Sequence, residues 1–413
     1  MAYRSCILDS NGLRSVNGLA IKHEKLLWRP FWATHIGAIK GCTDFLGIGM
    51  SDAWLSGGSG HAFVLNVNDT VSAAGPTAWN TEMVRLLGHN LGYGISGVFA
   101  RRSDPQFQSK QKLAWETAKQ ALDDGLPCYG WELGLAEYYV INGYNQYGYF
   151  YSGIGTAEYR FDLVQERRAE LSDGLFSSAH RQAFSMRGFE LSGHVRIERR
   201  FGCWIIVDEA NGDRFSVLED ANGRLMVHGD YAISQGFKQW DDLGAAQTGL
   251  LELYTVERAY SSDDKAVVKE SLEFALEFAK APRKWVMEGF HTGDSGYGTW
   301  IRALENHRAD GFGTAYNAAC WQESRMLAAL FLKEAADRLG EPYADRLREA
   351  ADWYDTAAQQ LDVVARLFPF HTRKFQHIRE DEAIRDAVRA LSEARHAERR
   401  GMEKLEGIVK VLG

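Results

Sequence analysis

Gly125-Leu126-Pro127-Cys128-Tyr129-Gly130-Trp131-Glu132 and, five residues on, Glu137-Tyr138-Tyr139-Val140-Ile141-Asn142-Gly143-Tyr144-Asn145 decide the reading of this chain. Both runs are rich in aromatic and β-branched residues and are bounded by Gly, Pro and Asn, the mark of short strands joined by turns. A third run, Tyr147-Gly148-Tyr149-Phe150-Tyr151, continues the pattern. Directly before them, Asp104-Pro105 opens a segment from about Gln106 to Asp124 with Leu113, Ala114, Ala118, Ala121 and Leu122 on one helical face. A long helix followed by a run of strands is an α+β order.

Working outward, Ile36, Ile39, Phe45 and Leu46 recur at helical spacing between Trp32 and Leu46, and Gly47 supplies a stop. From Gly188 to His228 the pattern turns into a β-meander, because Asn211-Gly212 and Asn222-Gly223 are strong hairpin turns between β-rich runs. Leu250 to Val256 then reads as one more core strand. From Asp264 the chain is almost wholly helical, with Gly289 to Gly313 as a glycine-rich, aromatic interruption. The expected organisation is an α+β domain over residues 1–258, with the meander inserted at 160–245, and an all-α domain over 259–413.

Composition narrows the classes of partner. A net charge of −8 gives no general attraction for nucleic acid or anionic lipid. No run approaches the ~18 apolar residues of a spanning helix, and Met1 to Cys6 leads into no apolar signal core, so the expectation is a cytoplasmic protein with no membrane partner. The five cysteines are scattered, without a Cys-x-x-Cys pair, which disfavours structural zinc and a disulfide framework. His371 and His377 have no carboxylate or thiol in ligand spacing around them, so neither a metal nor another cofactor is expected.

The order of elements resembles the papain-like fold of the bacteriocin-processing cysteine peptidases. More specifically, Thr34-His35-Ile36-Gly37 through Gly47, Met50 to Leu55, Gly60-His61-Ala62-Phe63, the two strand runs quoted above, and Ser324 to Ala336 resemble the butirosin-biosynthesis protein H family. That family pairs a papain-like domain with a helical one. The resemblance implies an acyltransferase of secondary metabolism, passing an acyl group from an acyl carrier protein or coenzyme A thioester to the amine of a small molecule. The meander has no counterpart in it.

Three positions depart from the template the resemblance supplies. The nucleophile's place falls near Thr34 to Ile36 and holds no Cys; the basic histidine's place holds Glu137; the orienting acid's place holds Asn145. Thr34 reads either as a hydroxyl nucleophile or as a helix N-cap. His35 reads as an acid-base group at a helix start or as a hydrogen-bonded structural histidine. Glu132 and Glu137 flank one strand connection, either as a carboxylate pair facing a cleft or as a solvated residue and a turn cap. His61, after Gly57-Gly58-Ser59-Gly60, is either a ligand contact or a surface histidine.

On the helical side, Asn317, Trp321 and Ser324 share one helix face, and Tyr316, Cys320 and Glu323 an adjacent one, with Arg325 following. Polar groups on a helix that must also bury Leu327 and Phe331 point to a pocket or to a buried hydrogen-bond network. Tyr297 and Trp300 either close over the same space or pack in the core. The functional expectation is acyl transfer to an amine in a cleft between the two parts; the alternative is a catalytically silent small-molecule-binding protein of the same fold.

Overall fold

The computed structural model describes residues 21–23, 25–156, 160–163, 171, 174–186, 189–200, 203–210, 213–219, 225–229, 236–370 and 380–413. Cys6, the two Asn-Gly turns, His371 and His377 lie outside the described residues. In chain order the front comprises β1 (Ile21–Lys22), α1 (Thr34–Phe45), α2 (Asp52–Gly58), β2 (Asn66–Asn68), α3 (Glu82–Gly88), β3 (Tyr93–Arg101), α4 (Phe107–Asp123), β4 (Cys128–Trp131), β5 (Tyr138–Tyr144) and β6 (Gly148–Ser152). An inserted module follows with β7 (Arg160–Asp162), α5 (Ser178–Ser185), β8 (Val195–Arg200), β9 (Cys203–Asp208), β10 (Arg214–Glu219) and β11 (Leu225–Gly229). The chain returns through β12 (Gly236–Gln239) and β13 (Leu250–Arg258). It then runs through α6 (Asp264–Lys280), α7 (Pro282–Trp285), β14 (Phe290–Thr292), α8 (Gly293–Glu305), α9 (Gly311–Leu339), α10 (Ala344–Leu367) and α11 (Asp381–Leu412).

The main sheet is antiparallel, in the order β12-β6-β5-β4-β13-β3, with β1 beside the far end of β5. Its central strands β4, β5 and β6 are buried on both faces, which is why they read as aromatic runs rather than as apolar-polar alternation. Tyr129, Tyr138, Val140 and Val256 enter the core shared with α1. Their neighbours Cys128, Tyr139, Ile141, Leu251 and Leu253 enter a second core under α4. The period of two along each strand thus sorts side chains between two helices on opposite sides.

The inserted module is a five-stranded antiparallel sheet, β7-β11-β10-β9-β8, with its own core of Phe184, Trp204, Ile206, Phe215, Val217 and Val227. The pairing of β9 with β10 and of β10 with β11 is that expected of the meander. Its far boundary is corrected: β12 already pairs with β6 of the main sheet, so the insertion closes before residue 236 rather than at 245. The glycine-rich interruption is likewise corrected, since Gly293–Glu305 is the helix α8. Gly296 is there for close approach: a Cβ would sit 2.6 Å from a Leu65 methyl and 2.9 Å from the His291 carbonyl oxygen.

The front and the helical part share one apolar core that runs from Leu26 to Leu412. Their join at 258 is therefore continuous in packing, and β14 pairs with β2 across it. At the centre lies α9, whose residues Gly313 to Trp321 are buried without a break. Nine successive positions at about 100° each cover the whole helix circumference, as a helix surrounded by protein requires. Its Arg325 is fully buried and makes a two-pronged ion pair with Glu398 of α11 at 2.7 and 2.6 Å. The remaining guanidinium nitrogen donates to the Val64 carbonyl at 2.5 Å and the Ala62 carbonyl at 3.3 Å. Among the described residues no helix is long and apolar enough to cross a membrane.

Removing one partner of a buried pair strands the other charge in a low dielectric. Glu398→Ala is expected to lower unfolding free energy by about 3–5 kcal/mol in urea titration, while Arg325→Met with Glu398→Leu recovers much of that loss. A Glu398→Ala protein as stable as the parent would contradict this account.

Candidate functional site

One cleft gathers residues from both parts of the molecule, and its walls include Thr34 and His35 of α1, Glu137 and Tyr138 of the β4–β5 connection, and Tyr316 of α9. Its enclosed portion is about the size of a single water molecule, within some 310 Å³ of space that opens to solvent. The structure brings Thr34, His35, Glu137 and Tyr316 to one cleft.

The centre is the Glu137 carboxylate. Thr34 donates its hydroxyl to Glu137 Oε2 at 2.5 Å, and the Tyr316 phenol donates to Oε1 at 2.8 Å. The Thr34 oxygen in turn accepts the Tyr138 backbone N–H at 3.1 Å, so the strand that carries the carboxylate is tied to the helix that carries the hydroxyl. Burial pushes the Glu137 carboxyl up to about 7, against the two hydrogen bonds, which act to lower it. Tyr316 itself is pushed up by burial and stays a donor.

Thr34 is not an N-cap. That position belongs to Ala33, and Thr34 is the first helical residue with its hydroxyl committed to Glu137. The cap is supplied from another element: Glu323 of α9 accepts the backbone N–H of Trp32 at 2.8 Å and that of Ala33 at 3.3 Å. A carboxyl at this end of the helix suits the macrodipole, although burial raises Glu323 to about 8. The first-turn amides of α1 have no acceptor within the helix, and the first-turn residues Thr34 and His35 line the cleft.

His35 is buried, stacked on Tyr138 with ring centres 4.1 Å apart, and its Nε2 shares a hydrogen bond with the Tyr129 hydroxyl at 3.1 Å. Burial, reinforced by His61 and Arg85, lowers it to about 3, so the ring is neutral at any ordinary pH. His61 is not a surface residue. It is 3% exposed on the 3₁₀ turn His61–Phe63, lines the cleft beside Trp79, and is lowered to about 4 by burial and then by Arg325.

Several expected site residues are elsewhere. Asn145 accepts the backbone N–H groups of Tyr147 and Gly148 in the β5–β6 turn, so it orients a hairpin and not the cleft. Glu132 is no partner of Glu137: its carboxylate takes the Thr248 hydroxyl at 2.5 Å and the Thr248 N–H at 3.1 Å. Tyr297 donates to Glu398, and Trp300 is wholly inside the core. Asn317 donates to the Ser72 and Gly313 carbonyls and accepts from the Trp321 indole, while Glu323 and Arg325 make the contacts given above. For these four residues the buried network is the outcome, and for Tyr316 the pocket.

Sequence reasoning missed the segment that forms the remaining wall, Pro76, Thr77, Trp79 and Thr81. Asn66 holds it by donating to the Gly75 and Ala78 carbonyls, both at 3.0 Å. Gly75 lets it lie against α9, since a Cβ there would sit 2.4 Å from the Asn317 side-chain oxygen. Gly75-Pro76 was a legible turn signal, and Trp79 was an isolated large aromatic. Cys42, Cys128 and Cys320 are free, buried and outside the cleft walls, and burial raises each thiol. Among the described residues no group of three or more His, Cys, Asp or Glu is arranged to hold a metal ion. No protein-family model matches the sequence, and no curated protein matches it either.

Because the folded pKa of Glu137 lies above its ordinary value, the folded state holds a proton that the unfolded chain releases between about pH 4.5 and 7. This residue therefore contributes a loss of stability as pH rises through that window, levelling off above it. Tyr316→Phe removes a bond that favours the carboxylate, so it should move the titration of Glu137 higher still. Carbon-detected NMR of the side-chain carboxyls tests this; a Glu137 titrating near 4.5 in the parent, or lower in the variant, contradicts the assigned causes.

Proposed function

We propose that this protein passes an acyl group from a carrier thioester to the amine of a small molecule, with Glu137 moving the proton. The observation that carries the reading is the Glu137 carboxyl, raised to about 7 and held between Thr34 and Tyr316 in a cleft at the N-terminus of α1. A base poised near the working pH combines a useful ionised fraction with useful proton affinity. The amine nitrogen attacks the thioester carbonyl, its proton goes to Glu137, and the departing thiolate takes that proton as the tetrahedral adduct collapses. The first-turn amides of α1 supply hydrogen bonds for the carbonyl oxygen as it gains charge. Thr34 and Tyr316 hold the carboxylate in place rather than attack.

On this reading the front is a papain-like domain of the kind found with a helical partner in the butirosin-biosynthesis protein H family, and the protein works in the cytoplasm on an acyl carrier protein or coenzyme A thioester. The helix-then-strands order and the position of Glu137 just before β5 support it. A binding protein without catalysis is the second reading, favoured by one observation: both Glu137 oxygens already have hydroxyl donors, and the enclosed space accommodates only a water-sized group.

Thiol release from coenzyme A and carrier-protein thioesters, measured with and without small amines, separates the two. Amine-dependent release that falls about 10²–10⁴-fold in Glu137→Gln, and less in Thr34→Ala, fits acyl transfer. Release equal in parent and Glu137→Gln removes it, and amine binding without release leaves the binding reading in possession.

A further inference from the structure

His61 is a cleft-facing group that the mechanism above leaves unused. It is nine-tenths buried and more, it lines the cleft, and its ring nitrogens make no hydrogen bond to any described residue. Buried polar side chains almost always have a partner, so an unpaired imidazole on a cavity wall is a place held for a group that arrives with the ligand. The other cleft histidine differs, because His35 Nε2 is already bonded to Tyr129 and its ring is stacked on Tyr138, with Nδ1 buried and unpartnered.

The support beneath His61 is built for position. Gly60 takes a left-handed conformation (φ 79°) to start the 3₁₀ turn His61–Phe63. The carbonyls of Ala62 and Val64 just beyond are gripped by Arg325, which Glu398 fixes in turn. Trp79 lies beside the ring at 5.9 Å between centres and restricts where it can swing. The same guanidinium that anchors the turn places a buried positive charge behind the imidazole, which opposes a second one on the ring. A neutral imidazole in this setting offers an N–H with no competing acceptor.

We propose that His61 donates its ring N–H to the carbonyl oxygen of the bound acyl donor, polarising it together with the α1 amides. The inference rests on the acyl-transfer reading for the identity of the carbonyl ligand, but it concerns binding and can be tested without turnover. No proton leaves the imidazole; the hydrogen bond shortens as the oxygen gains charge and relaxes when the adduct collapses.

The probe is S-acetyl-N-acetylcysteamine, titrated into the full chain while the labelled histidine ring resonances are followed by NMR. His61 should remain neutral from pH 8 down to about 5, as imidazoles depressed by burial do, and its N–H signal should move on adding the thioester. The dissociation constant should weaken about tenfold in His61→Leu and be largely restored in His61→Gln, which keeps an N–H donor, with unchanged melting temperature identifying intact folds. Equal affinity in the parent and both variants overturns the assignment, as does a His61 that titrates near 6.5 or a parent that does not bind the probe. If thiol release still depends on Glu137 while His61 is silent, acyl transfer survives and this inference does not; binding lost with His61 but no turnover gives the opposite result.

Discussion

Arg325 and Glu323 lie two residues apart on one helix that is buried all round, and together they impose the constraint on which the cleft depends. A guanidinium cannot give up its proton in a protein interior, so Arg325 must be met by a full negative charge and by acceptors for its other N–H groups. Glu398 supplies the first, and the Ala62 and Val64 carbonyls the second. Glu323 has the opposite need, and the Trp32 and Ala33 amides answer it. Each requirement draws a piece of the front onto α9: one brings in the turn that bears His61, the other the start of α1 that bears Thr34 and His35. The cleft is the gap left between pieces positioned by buried polar groups that tolerate little displacement.

That origin also explains the electrostatics. The same exclusion of water that makes the Arg325 pair strong makes charge costly on every other ionisable group nearby. Both histidines are driven neutral, Tyr316 and Tyr138 keep their protons, and Glu137 alone among the cleft-lining carboxyls and imidazoles is left titrating near physiological pH. It escapes the fate of a fully desolvated carboxyl because two hydroxyls donate to it. Burial and hydrogen bonding pull its pKa in opposite directions, and burial prevails, leaving the carboxyl at about 7.

The sequence carried the elements that follow from local pattern. The helix at 107–123, the paired strands around Glu137, the meander and the strand at 250–258 were all readable from periodicity and turn residues. The meeting of Thr34, Glu137 and Tyr316 joins residues more than a hundred positions apart, beyond the reach of any local pattern. What stayed hidden is non-local. Glu132 and Glu137 have similar sequence surroundings, yet Thr248, far along the chain, claims one of them. His61 after a glycine run has the signature of an exposed turn, yet it is buried, with Trp79 beside its ring. Glycines misled for the same reason: at 296 they mark close packing by Leu65, which no window of neighbouring residues contains.

A carboxyl that titrates near 7 has the proton affinity of an ordinary imidazole. On the acyl-transfer reading, a glutamate in place of a histidine therefore still supplies a base poised for neutral pH, provided its surroundings stay dry. The exchange has a consequence for charge. An imidazole becomes positive when it takes a proton, whereas Glu137 becomes neutral, so the cleft carries its net negative charge before proton transfer and none after it. A thiolate–imidazolium ion pair, neutral overall, is not available to such a base, and the start of α1 carries Thr34 in place of a cysteine. A hydroxyl neighbour that donates to the carboxylate and accepts a backbone amide is what a glutamate base can use there, and Thr34 does both.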